Sequence, residues 1–188
     1  MKIRSKVTIG LLSSAMCVAA LAHAAGYKKA EGSQDKISFA TTAMKGTIDI
    51  KGTVPRLTVA QTEGEFLVLK TDLHMMSFGN GTMDKMRYNH AKKELEFKKF
   101  PEVALRVKAS ELSAGGKKSG KGQLTFHGVT KPVDFSYTAT ETGNKVKVDG
   151  NFTISLKKHG IKEPICKAEV CVADAVAVSA SFTLDKQP

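Results

Sequence analysis

Tryptophan is missing from this 188-residue chain, and aromatic residues make up only 6% of it. A folded core must therefore be filled chiefly by Val, Ile, Leu and Ala. There are five prolines and three cysteines. No Gly-x-Ser-x-Gly elbow, His-Glu-x-x-His pair or phosphate-cradling loop is present, so no hydrolase or nucleotide-binding class is indicated and nothing calls for a cofactor. Residues 113–122 are Gly-rich and basic but lack a P-loop's spacing, and read as a flexible connection. The longest uncharged apolar run, residues 7–22, is shorter than the ~20 residues a spanning helix needs.

That run has another meaning. Lys2, Arg4 and Lys6 precede it, and Ala22-His23-Ala24 follows it. A basic start, an apolar stretch and a small-x-small site describe a secretory signal cut before Ala25. The expected division is a signal peptide at 1–24 and one domain at 25–188, exported to the periplasm. Loss of Lys2, Arg4 and Lys6 takes the formal charge from +11 to +8. A basic exported surface suits anionic headgroups, and export argues against nucleic acid. Cys17 leaves with the signal, so Cys166 and Cys171 remain, an even pair suited to a disulfide in an oxidising compartment. An extended strand would hold them about 16 Å apart at ~3.3 Å per residue, so the chain between them must turn. A thiolate metal site with His159 is the other reading of the pair.

Period-2 alternation recurs along the expected domain. Val146, Val148, Phe152, Ile154 and Leu156 share one face, with Gly150 in step. Val176, Val178, Ala180, Phe182 and Leu184 share another. Shorter runs fall at 37–39, 48–50, 57–59, 67–69 and 103–107. Many short strands with one apolar face predict an antiparallel sandwich or barrel. Residues 83–100 break the pattern, and the helix formers at 89–99 predict a short helix.

Leu124 and Phe126, then Val133, Phe135 and Tyr137, form two more alternating runs. Between them the stretch 128–132 predicts a hairpin connection, with Gly128 in the turn and Pro132 closing it. The string Leu124-Thr125-Phe126-His127-Gly128-Val129-Thr130-Lys131-Pro132-Val133 resembles the signature hairpin of the YceI-like family of bacterial periplasmic lipid-binding proteins. Asp35-Lys36-Ile37-Ser38-Phe39, the Gly-rich stretch 45–52, Arg87-Tyr88-Asn89-His90 with Phe100-Pro101-Glu102, and Ala173-Asp174-Ala175-Val176 are similar to other segments of it. Lys158-His159 stand where that family commonly has an acidic residue and an aromatic.

The resemblance implies a lipocalin-like antiparallel β-barrel of about eight strands with a short helix. It implies a non-catalytic periplasmic protein with a stress-related role, holding a polyisoprenoid-like lipid. Patterning alone favours a dry core, and the resemblance reverses that preference. The expected lumen residues are Phe126, Phe135, Tyr137, Phe152, Ile154, Val178, Ala180 and Phe182. Arg87 and His90 are expected to meet a headgroup at the mouth, or else to form a solvated helix face. Transient contact with a membrane surface and a homodimer are both compatible with the sequence. The alternative is a copper protein using His74, Met75, Met76, Met83 and Met86, whose thioethers and imidazole suit Cu(I). His127 is expected to brace the hairpin turn through a hydrogen bond.

Overall fold

The computed structural model describes residues 26–62, 65–112, 114–161, 166–167 and 170–187. The expected signal peptide lies outside the described residues. The strands are β1 (Gly26–Lys29), β2 (Lys36–Ala43), β3 (Ile48–Val54), β4 (Thr58–Thr62), β5 (Phe66–Asp72), β6 (Glu102–Lys108), β7 (Gly115–Phe126), β8 (Val129–Thr142), β9 (Lys145–Ser155), β10 (Cys166–Lys167), β11 (Val170–Cys171) and β12 (Ala175–Gln187). One helix, α1 (Thr82–Glu94), joins β5 to β6.

The fold is a lipocalin-like antiparallel barrel made from one curled sheet. Its strand order is β3-β2-β12-β9-β8-β7-β6-β5-β4, with β1 added to the far end of β12. The nine-strand path matches the nine alternating runs of the sequence. The tenth strand of the sheet, β1, carries only Gly-Tyr-Lys-Lys, too short to show a period.

No ladder joins β3 to β4 among the described residues, and polar contacts from neighbouring links hold that region. Thr53 and Ser77 exchange two backbone hydrogen bonds of 2.8 Å. Asp35 sits on the β1–β2 link with its side chain buried, and pairs with Lys29. The same carboxylate accepts the Leu57 N–H at 3.0 Å, tying the link to the start of β4.

The hairpin of β7 and β8 turns more tightly than expected. Phe126 pairs directly with Val129, so His127 and Gly128 alone form the turn. Both have positive φ, 52° and 72°, as a two-residue type I′ turn requires. Pro132 is not in the turn: it lies on β8 opposite Gln123. Pairing of β8 with β9 begins only at Phe135, so no ladder needs the N–H that proline lacks.

Residues 115–122 are strand and not a flexible connection. The reason is Phe135. Its ring lies so close over Gly120 that a Cβ there would come within 2.4 Å of the ring's Cζ. Of the β7 glycines, Gly120 is the one whose open face receives a large side chain from β8, while Gly122 faces Leu105 and Val107 of β6. Tyr137 follows on β8, 5.7 Å from Phe135 between ring centres. Its hydroxyl donates to the Glu111 carbonyl.

The helix begins earlier than the helix formers at 89–99 predicted. The Asp84 carboxylate accepts the Gly81 N–H at 3.1 Å and anchors the first turn. Cys166 stands directly opposite Cys171 in the short antiparallel β10–β11 ribbon.

Replacing Gly120 with Ala should lower stability by about 1–3 kcal/mol, because the new methyl meets the buried Phe135 ring, which must shift to make room. Phe135→Leu in the same chain should recover part of the loss. Urea denaturation of the three variants measures it, and an unchanged midpoint in Gly120→Ala would contradict the ring-over-glycine account.

Candidate ligand cavity

The two ends of the barrel are packed differently. One end holds Tyr27, Leu67, Val107, Leu112, Tyr137, Val146 and Leu184, all buried. The other end contains a cavity of about 220 Å³. One water needs only ~10–15 Å³ on the same measure, so this is a chamber and not a packing defect.

Strands β2, β3, β5, β6, β7, β9 and β12 all contribute to the wall. Ile37, Phe39 and Thr41 come from β2, Ile50 and Val54 from β3, Leu69 from β5, and Val103 and Leu105 from β6. Phe126, Phe152, Ile154, Val178, Ala180 and Phe182, six of the eight expected lumen residues, also line it. Phe135 and Tyr137 lie outside this lining. They are buried: Phe135 lies over Gly120 of β7, and Tyr137 reaches the Glu111 carbonyl at the closed end. Ala180 stands opposite Gly150 on β9 and Ile37 on β2, so the wall is thinnest there.

The short links supply wall residues that the strand pattern did not flag as lumen: Leu73, Met76, Phe78 and Val172. Phe78 meets the edge of Phe39 at 5.3 Å. Alternation cannot find such residues, because links have no period.

The polar groups gather at the helix side. Arg87 and His90 both line the cavity beside Ala91 and Lys70. Arg87 pairs with Asp84 at 3.0 Å, and Lys70 with Glu102 at 2.9 Å. The mouth thus carries cations that are already half-neutralised, a setting in which an anionic group can exchange with a carboxylate.

The five proposed copper ligands are placed variously. Met76 lines the cavity and Met75 packs against the core. Met83 and Met86 are 60% and 55% exposed on α1. The His74 ring is held by Asp72 at 2.9 Å and sits edge-on to Phe97. The His74 N–H is the main reason that the Asp72 carboxyl lies below its ordinary value.

The hairpin turn closes this end against its neighbours. The His127 ring spans from the Glu96 carboxylate at 3.0 Å to the His159 carbonyl at 3.2 Å. Phe100 covers its face, 4.5 Å away between ring centres. His159 is 4% exposed, and its Nδ1–H donates to the Ser155 carbonyl.

This combination of hairpin, helix and hollow sheet agrees with the comparison by sequence. A family model described as "YceI-like domain" matches residues 21–184. The chain belongs to the YceI-like family. A UPF0312 protein of Pseudomonas fluorescens (strain SBW25) is 36% identical over 90 residues, or 40% of this chain and 47% of that protein. The match therefore spans about half of that relative's length. Among solved structures, a polyisoprenoid binding domain from Saccharophagus degradans, implicated in plant cell wall breakdown, superposes with a TM-score of 0.67 at 13% identity. The likeness covers 87% of this chain and 99% of that one. Burkholderia cenocepacia BcnA superposes with a TM-score of 0.61 at 18% identity, over 79% of this chain and 95% of that one. At such identities the likeness bears on the fold.

One YceI-like segment has a clear structural duty here. Asp174 leads into β12, and its carboxylate accepts the Lys157 N–H and the Ser155 hydroxyl, each at 2.7 Å. Partial burial pushes its pKa up, but these hydrogen bonds outweigh it and hold the carboxyl below its ordinary 3.8. A carboxyl that is more acidic in the folded state stabilises that state above its unfolded pKa. The contribution is lost as pH falls through the lowered value. Asp174→Asn should therefore cost about 1 kcal/mol at neutral pH, with the gap to wild type closing as pH falls below the carboxyl's ordinary 3.8. Denaturant midpoints across that range measure it, and a gap that stays constant with pH would exclude the carboxylate as the cause.

Proposed function

We propose that this YceI-like protein is exported to the periplasm, catalyses nothing, and carries a long-chain amphiphile of the polyisoprenoid type in its hollow end. The observation that carries the reading is the cavity itself. About 220 Å³ of space is walled by aliphatic and aromatic side chains and bordered on one side by Arg87 and His90. An apolar chain there gains roughly 0.8 kcal/mol per buried CH₂, enough for tight binding without a deep polar anchor. The polyisoprenoid binding domain of Saccharophagus degradans, which shares the fold, supports the choice of ligand class.

Ala180→Phe tests it. The ring would enter the cavity where Gly150 and Ile37 face Ala180. Displacing about three methylenes costs roughly 2 kcal/mol of binding, a Kd about thirtyfold weaker for a fluorescent polyprenyl or fatty-acyl probe. Thermal stability should hold or rise, because the ring fills space. A lower melting temperature, with no probe binding by wild type, would end the carrier reading. Native mass spectrometry of detergent-free protein would show what is bound.

The same reading includes a disulfide between Cys166 and Cys171. Directly opposed residues of an antiparallel pair have Cα atoms about 4.5–5.5 Å apart, inside the range a disulfide spans. Alkylation of unreduced exported protein followed by intact-mass measurement should add no label, and two labels should appear after reduction. Two labels without reductant would exclude the bridge.

A further inference from the structure

We infer that the hollow end of the barrel docks on an anionic lipid bilayer, through Met44, Met83 and Met86 set among exposed lysines. The purpose of this surface rests on the carrier reading. Its evidence does not.

Among the described residues, three large hydrophobic side chains are exposed: Met44 at 43%, Met83 at 60% and Met86 at 55%. All three lie at the same end. Met83 and Met86 lie one turn apart on α1, on the same stripe as Arg87 and His90, which line the cavity. Met44 begins the 3-10 turn Met44–Gly46 between β2 and β3. The strands it joins place Thr41 and Ile50 in the cavity wall. Ala43, just before it, bridges to Val172, another wall residue. Among the described residues, nothing comparable is exposed at the closed end.

The charges around these methionines have one dominant sign. Lys45, Lys85, Lys93, Lys98 and Lys99 are all exposed on the same elements or on the turn after α1. The nearby acids are largely engaged. Asp84 holds Arg87 and the Gly81 N–H, Glu96 holds His127, and Asp49 pairs with Lys51. Half-buried Glu94 is the remaining acid on the helix.

Flexible apolar tips ringed by lysine suit the headgroup region of an anionic bilayer, where methionine enters and ammonium groups stay with phosphate. A protein partner fits less well. Three partly exposed methionines fall far short of the about 800 Å² per side that a stable protein interface buries. The placement also suits transfer, since a lipid leaving the bilayer beneath α1 would meet the cavity directly.

The test uses the processed chain, as recovered from the export compartment, sedimented with phosphatidylcholine vesicles with or without one phosphatidylglycerol in three. Wild type should bind the anionic vesicles, and high salt should weaken the binding. Lys85→Gln with Lys93→Gln should reduce partitioning about 25-fold, each lysine near a charged surface being worth about fivefold. Met83→Ser with Met86→Ser should reduce it about tenfold. Both pairs should keep wild-type melting and bind the acyl probe in vesicle-free buffer within about twofold of wild type, since none of the four side chains lines the cavity. Absence of wild-type binding to anionic vesicles, or equal binding by the methionine pair, overturns the docking surface. So does a dimer in sedimentation that disappears in the methionine pair, because a second copy would then cover the face. Loss of probe binding with methionine-dependent docking intact would sink the carrier reading and leave the docking surface standing.

Discussion

The hollow half of this barrel depends on a close contact in the other half, that of the Phe135 ring with Gly120. Phe135 and Phe152 face each other across β8 and β9. Both point inward, yet Phe152 walls the cavity and Phe135 does not. The difference is Gly120 of β7, which lets the Phe135 ring lie down against its own sheet. Tyr137 follows it and ends on the Glu111 carbonyl, which completes a dense closed end. A close-packed interior normally leaves few voids larger than a water molecule. Here one end is filled, and the other keeps open space inside a wall that itself includes Phe39, Phe78, Phe126, Phe152 and Phe182.

The hollow end is held by irregular segments rather than by the sheet. His127 ties the hairpin turn to the segment after α1 through Glu96 and to the link after β9 through His159. Asp174 ties that link to β12, and Thr53 pairs with Ser77 beside Phe78. Each joint is polar and sits behind an apolar wall. A ligand chamber built this way keeps its shape through hydrogen bonds in the links while the sheet supplies a surface with few polar groups. The same links carry the charged rim and the exposed methionines, so entry and retention are set by different parts of one end.

Much of the architecture was legible in the sequence. Nine alternating runs became nine consecutive strands of the sheet path, because an antiparallel strand with one buried face must write its facing into its sequence. Six of the eight residues assigned to the lumen line it, and Arg87 and His90 border it. The errors have physical causes. Residues 115–122 read as a loop because a strand whose inward positions are glycine has no apolar alternation to display. Pro132 read as the end of a turn because its strand has no partner on one side there, which only the register of β8 and β9 reveals. The helix starts before its best helix formers because Asp84 caps it at Gly81.

By itself, the sequence determined which side of each alternating strand faces inward, since that follows from local periodicity. Only the tertiary structure decided which inward residues enclose space and which fill it. That distinction lies in pairs far apart in the chain: Phe135 with Gly120, Ala180 with Gly150, Val172 with Ala43. Side-chain volume is a local property, but a cavity is what remains after volumes from distant strands are brought together.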